Sequence, residues 1–217
     1  LKLTSDFDLH PALENFKALW DQNTASVFHA TSIPYKGRSH FEGQDMMMSG
    51  GTVPYQEKTG WLGRGMKLAG LTGNGLAMSL PMPLLIRGVP LNNNYFPIRS
   101  SLPQKHLLNI IAEEFNQYSE KDLSETLSII RNRDLNYFPG TNAATLALEA
   151  GKLLSDPNGP RVAVFKVENF DTHAAQGGDD GTHADCLKEY DQILKALKAS
   201  LGSTFKDTLI LTLTEFG

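Results

Sequence analysis

The last third of the sequence leaves few folds open. Arg161-Val162-Ala163-Val164-Phe165-Lys166-Val167 is a mostly apolar, β-branched run of strand length. His183 to Leu201 follows, with Leu187, Tyr190, Ile193, Leu194 and Leu197 at helical spacing. Thr208-Leu209-Ile210-Leu211-Thr212-Leu213-Thr214 is then a second strand-like run. Strand, helix and strand at these separations predict a right-handed βαβ unit in a parallel sheet, hence an α/β fold.

The upstream sequence is read the same way. Asp8-Leu9-His10-Pro11-Ala12-Leu13 predicts a helix start, with Asp8 as cap and Pro11 in the first turn. Leu13, Phe16, Leu19 and Trp20 fall on one face of that helix. Ala25 to Ala30 predicts a short buried strand. After a loop from Thr31 to Arg38, Ser39 is placed to cap a helix from His40 to about Met48. Glu42 stands in capping-box position and Gly50-Gly51 ends the helix.

Gly51 to Pro103 is rich in Gly, Pro and Asn, with weak periodicity. It predicts a loop-rich insertion over the sheet edge at about 51–103, with a short edge strand within Leu80–Ile86. Gln104–Asn132 and Thr141–Leu154 predict helices, the second followed by a turn at Asp156–Pro160. The expected organisation is a single domain over residues 1–217.

Composition sets the outer limits. Hydrophobic residues are 41% and charged residues 20%, enough apolar content for a core and too much for a disordered chain. Net charge is −4 with scattered Lys and Arg, which argues against nucleic acid as a partner. Cys186 is the single cysteine, so no intramolecular disulfide forms. No apolar run approaches the roughly 20 residues of a membrane helix. The chain opens on Leu1-Lys2-Leu3 without Met and closes straight after a strand-like run, so both ends are expected to be cut.

Sites in open parallel sheets form beyond the carboxyl ends of the strands, and three polar clusters fall there. The first is Asn169-Phe170-Asp171-Thr172-His173. An Asp and a His two residues apart can converge on one cation, and carboxylate with imidazole suits zinc, manganese or iron. Asp179, Asp180 and His183 are further possible ligands. The plainer reading is a polar, Gly-rich loop. The second cluster is Thr214-Glu215-Phe216-Gly217, where Glu215 is either a ligand or a solvated strand-end carboxylate. The third is Arg38-Ser39-His40, at a helix start where free N–H groups and the dipole favour an anion. Ser39 is a nucleophile or simply an N-cap, Arg38 a holder of an oxyanion, and His40 a proton donor or ligand. His10, His29 and His106 read as capping, core or surface residues, and Met46-Met47-Met48 as helix packing. No Gly-x-Ser-x-Gly elbow, P-loop or dinucleotide fingerprint is present.

Taken in order, His29-Ala30, Arg38-Ser39-His40-Phe41-Glu42-Gly43-Gln44-Asp45, Phe170-Asp171-Thr172-His173-Ala174-Ala175-Gln176 and Thr208–Gly217 resemble the bacterial domain of unknown function 1501 family. That family is placed in the alkaline phosphatase and sulfatase superfamily. The resemblance implies a three-layer α/β/α fold with a mainly parallel sheet, alkaline phosphatase-like and truncated at both ends. It implies one or two divalent cations (zinc, manganese or calcium) held by Asp171, His173 and Glu215. It also implies a nucleophile at Ser39, a small-molecule phosphate or sulfate ester as substrate, and a periplasmic or secreted location. The sequence departs from the superfamily's strand-end Asp-His-Gly, having Glu215 for the Asp and Phe216 for the His. Family members also begin with a Gly-rich strand carrying a metal-binding Asp and continue to a further Asp-His motif, and neither is among these residues.

Two readings follow: a metal-dependent ester hydrolase, or a non-catalytic exported binding or structural module that keeps the fold with an incomplete site. A Ser–His hydrolase without metal is a third, and no elbow motif supports it.

Overall fold

The computed structural model describes residues 1–95, 106–107, 109–111, 113 and 142–214. The chain divides into two compact units, Leu1–Phe96 with Thr141–Gly217, and Pro97–Gly140. In the second unit, residues 106–107, 109–111 and 113 are helical, as the sequence predicts. The remainder of the helix expected at Gln104–Asn132 lies outside the described residues.

The first unit is built on a small parallel sheet. Its strands are β1 (Gly75–Met78), β2 (Asn93–Tyr95) and β3 (Val162–Val164), in the spatial order β2-β1-β3. Leu76 lies opposite Asn93 on one side and Ala163 on the other, and Ala77 opposite Asn94 and Val164. Central β1 is buried at every position. The helices are α1 (Glu14–Asp21), α2 (His40–Ser49), α3 (Trp61–Leu68), α4 (Ala143–Ser155) and α5 (Thr182–Leu201).

Strand side chains alternate between two apolar clusters, as period-2 geometry requires. Leu76, Met78, Ala163 and Tyr95 enter one, formed with Leu146, Ala147 and Ala150 of α4 and Ile193, Leu197 and Leu201 of α5. Ala77, Val162 and Val164 enter the other, with Met66 of α3, Ile86 and Val89. Apolar packing therefore covers both faces of the sheet. Each fully buried Leu, Ile or Met in these clusters contributes about 1.5–3 kcal/mol of transfer free energy.

Several helices form where the sequence puts them. Ser39 caps α2 through its hydroxyl, and Gly50 ends it in the left-handed conformation at φ 67°. α4 and α5 match the stripes read from the sequence, and Asn142 caps α4 by accepting the Thr145 N–H. The Asp156–Pro160 turn closes on the bond from Gly159 N–H to the Asp156 carbonyl.

Other expectations need correction. The span read as loops over the sheet edge supplies β1, the central strand, along with β2 and α3. Leu84–Ile86 is one turn of 3-10 helix rather than an edge strand. Ala25–Ala30 is no strand: left-handed backbone at Asn23 and Ala30 turns the chain on either side, and Phe28 is 79% exposed. Asp8 caps no helix; it pairs with Lys2, and α1 begins only at Glu14.

The predicted βαβ unit is incomplete. After α5 the chain makes a 3-10 segment, Gly202–Asp207, and Thr208–Thr214 joins no sheet. The segment still alternates like a strand. Ile210 packs on the α4–α5 cluster and Thr212 hydrogen-bonds the Tyr190 hydroxyl, while Leu209, Leu211 and Leu213 face outward. Side-chain contacts with the α4–α5 cluster and with Tyr190 hold its inner face, and it joins no ladder among the described residues.

Candidate functional site

β3 runs into the loop from Glu168 to Gly181, which carries the first cluster. The loop backbone is unusual: Asn169, His173 and Ala175 all have positive φ, which a residue with a Cβ adopts only at a cost. Side chains pin it from below. The Cys186 thiol of α5 donates to the Asn169 carbonyl at 3.3 Å, and Phe170 meets the His183 ring edge-on at 5.7 Å. Burial pushes the Cys186 thiol pKa up, keeping it a protonated donor rather than a thiolate.

On this loop Asp171 and His173 come together. His173 Nε2 lies 3.0 Å from Asp171 Oδ2, with the imidazole largely exposed and the carboxylate partly covered. The pair forms because left-handed backbone at His173 folds the chain back over Thr172, whose carbonyl accepts the Ala174 N–H. A carboxylate and an imidazole facing solvent can share a proton or, with the imidazole neutral, present two donors to a cation.

The donor set stops at two among the described residues, where no three His, Cys, Asp or Glu gather to hold a metal ion. Glu215, the third expected ligand, lies outside the described residues. Asp179 and Asp180 instead line a shallow acidic depression with Glu14, Lys188 and Asp191. His183 is turned onto Phe170. The pair thus fits part of a zinc or manganese site and does not complete one.

The third cluster sits at the start of α2. Ser39 Oγ accepts the Glu42 N–H at 3.4 Å, so the capping role is real. A capping serine keeps its O–H proton and a second lone pair, so that bond leaves nucleophilic use open. Arg38 is exposed, and His40 is half-buried with its ring against Phe41 at 4.0 Å. Among the described residues no hydrogen bond, ion pair or ring contact joins Arg38 or Ser39 to Asp171 or His173.

Asp191 and Tyr35, which sequence reading passed over, and His10, read there as a capping or surface residue, shape these surroundings. Asp191 is 2% exposed, and its carboxylate accepts the Asn15 and Phe16 N–H groups and the Asn15 amide at 2.6–3.0 Å. It is the missing cap of α1, lent by α5 across the interface. Its signal was a carboxylate on the apolar stripe of α5, between Leu187 and Leu194. His10 accepts the Ala12 N–H at Nδ1 and donates from Nε2 to the Gly178 carbonyl, tying the N-terminal segment to the loop after β3. Tyr35 sits over Ser39, with its phenol bonded to the Glu42 carboxylate.

No family model, curated protein or solved structure matches this chain. Among the described residues, no helix is long and apolar enough to cross a membrane.

Proposed function

We propose that this chain belongs to a metal-dependent hydrolase of phosphate or sulfate esters, on an alkaline phosphatase-like three-layer fold. The observation that carries the reading is the Asp171–His173 pair at 3.0 Å on the strained loop directly after β3. Helical and turn packing on both faces of a parallel sheet supports the three-layer arrangement. The resemblance of the motifs around Ser39, Asp171 and Thr208–Gly217 supports the superfamily.

In this reading Asp171 and His173 hold a divalent cation, with Glu215 as the third ligand. A bound cation would polarise the ester and favour the ionised form of a nearby hydroxyl. Ser39 Oγ bonds to phosphorus or sulfur as the ester oxygen leaves with a proton as the alcohol, and water then releases phosphate or sulfate. Arg38 and the start of α2 hold the anionic oxygens. His40 serves as proton donor to the leaving oxygen. A periplasmic or secreted location belongs to the same proposal through the family resemblance.

A second reading, a non-catalytic module with a degraded site, is favoured by the lack, among the described residues, of a hydrogen bond or ion pair between Ser39 and the Asp171–His173 pair. Turnover separates the two. With zinc, manganese or calcium supplied, 4-nitrophenyl phosphate or sulfate should be hydrolysed, and Ser39→Ala should lower kcat at least about 100-fold. Equal rates in Ser39→Ala and the parent protein would remove Ser39 from the mechanism. No turnover under any of the three metals would favour the module.

A further inference from the structure

The start of α2 departs from an ordinary capping box in one respect. In that motif the N3 carboxylate reaches back to the N-cap N–H directly. Here Ser39 is the N-cap and Glu42 is N3, but the phenol of Tyr35 stands between them. Tyr35 Oη accepts the Ser39 N–H at 3.3 Å and donates to Glu42 Oε2. Ser39 Oγ in turn accepts the Glu42 N–H at 3.4 Å, so the three residues close a ring of bonds.

The chain makes room for that ring at Gly37, where a Cβ would collide with the hydroxyl end of Tyr35. Gly43, on the buried side of α2, lies beside the Tyr35 ring, and a Cβ there would stand in ordinary contact with it at 3.8 Å. The hydrogen bond to Glu42, then burial, raise the phenol pKa above its ordinary value, so the hydroxyl keeps the proton it donates.

We propose that Tyr35 is a positioning residue for Ser39: it relays the Glu42 carboxylate to the Ser39 backbone and so sets the placement of the Ser39 hydroxyl. Because the phenol proton is donated to the Glu42 carboxylate, a phenol lone pair is left for the Ser39 N–H. The value of this placement for catalysis rests on the hydrolase reading above; the relay itself does not.

The test is the Ser39 amide resonance by nitrogen–proton NMR. Glu42→Gln should shift the Ser39 amide when Tyr35 is present and should leave it in place when Tyr35→Phe has removed the phenol oxygen. A cap that acts only structurally would give the same effect of Glu42→Gln with and without the phenol, and that result overturns the relay, as does an unchanged Ser39 amide in Tyr35→Phe. Gly37→Ala, whose Cβ would displace the phenol hydroxyl, gives the same readout if Tyr35→Phe fails to fold. In a hydrolysis assay Tyr35→Phe should lower kcat about tenfold with KM unchanged. Absence of turnover with the NMR dependence intact would discard the hydrolase reading and leave the relay standing.

Discussion

Asp191 shows what a single residue does here. A carboxylate 2% exposed is costly unless its oxygens are bonded, and three N–H donors from the start of α1 meet them. The helix gains a cap that Leu13 cannot give, and its positive end faces a negative charge. Asp191→Ala should therefore cost about 2–3 kcal/mol, from the lost cap and the stranded N–H groups. Urea denaturation would read this as a lower midpoint at unchanged slope. A loss under about 0.5 kcal/mol would mean that water replaces the carboxylate at no penalty. The same residue shows why sequence reading fell short. A charge on an apolar stripe can be seen, but its partner lies 175 positions away in Phe16, and pairing over that distance has no local signal.

At the scale of elements, legibility followed the length of the repeat. α4 and α5 have 13 and 20 residues, enough turns to show their stripes, and both form where expected. β1 and β2 have four and three residues, too few to show alternation, and they sit among Gly and Asn. Those small residues are functional parts of the packing. Gly75 leaves no space for a side chain: a Cβ there would meet the Asn92 side chain, whose oxygen accepts the Gly75 N–H. Thr208–Thr214 failed in the opposite sense: its pattern is that of a strand, but a ladder needs a paired edge, which no pattern supplies.

The α4–α5 contact gives the test at this scale. A Cβ on Gly151 would strike Ser200 of α5, whereas one on Gly65 of α3 meets nothing within 4 Å. Helix propensity favours alanine over glycine at both positions by roughly 1 kcal/mol. Gly65→Ala should therefore stabilise by about 0.5–1 kcal/mol, and Gly151→Ala should destabilise by about 1–3 kcal/mol through overpacking. Thermal unfolding of the two variants would show shifts of opposite sign. Stabilisation by both would mean that Ser200 rotates aside freely and that the helices do not meet closely at Gly151.

For the whole molecule, a parallel sheet lined with apolar packing on both faces places the strained loop at the carboxyl end of β3. The Asp-x-His spacing of the candidate site was legible because both donors lie on that one loop. The separation of Ser39 from that pair was not, because it depends on how distant segments of the chain are placed. Asp171 and His173 are proposed to bind a divalent cation, and the metal content of the purified protein answers that. Elemental mass spectrometry of purified protein dialysed after zinc, manganese and calcium loading should find near-stoichiometric metal, lost in Asp171→Ala, while the metal-free forms of the two proteins unfold at the same midpoint. No retained metal, or equal retention in Asp171→Ala, would contradict the claim.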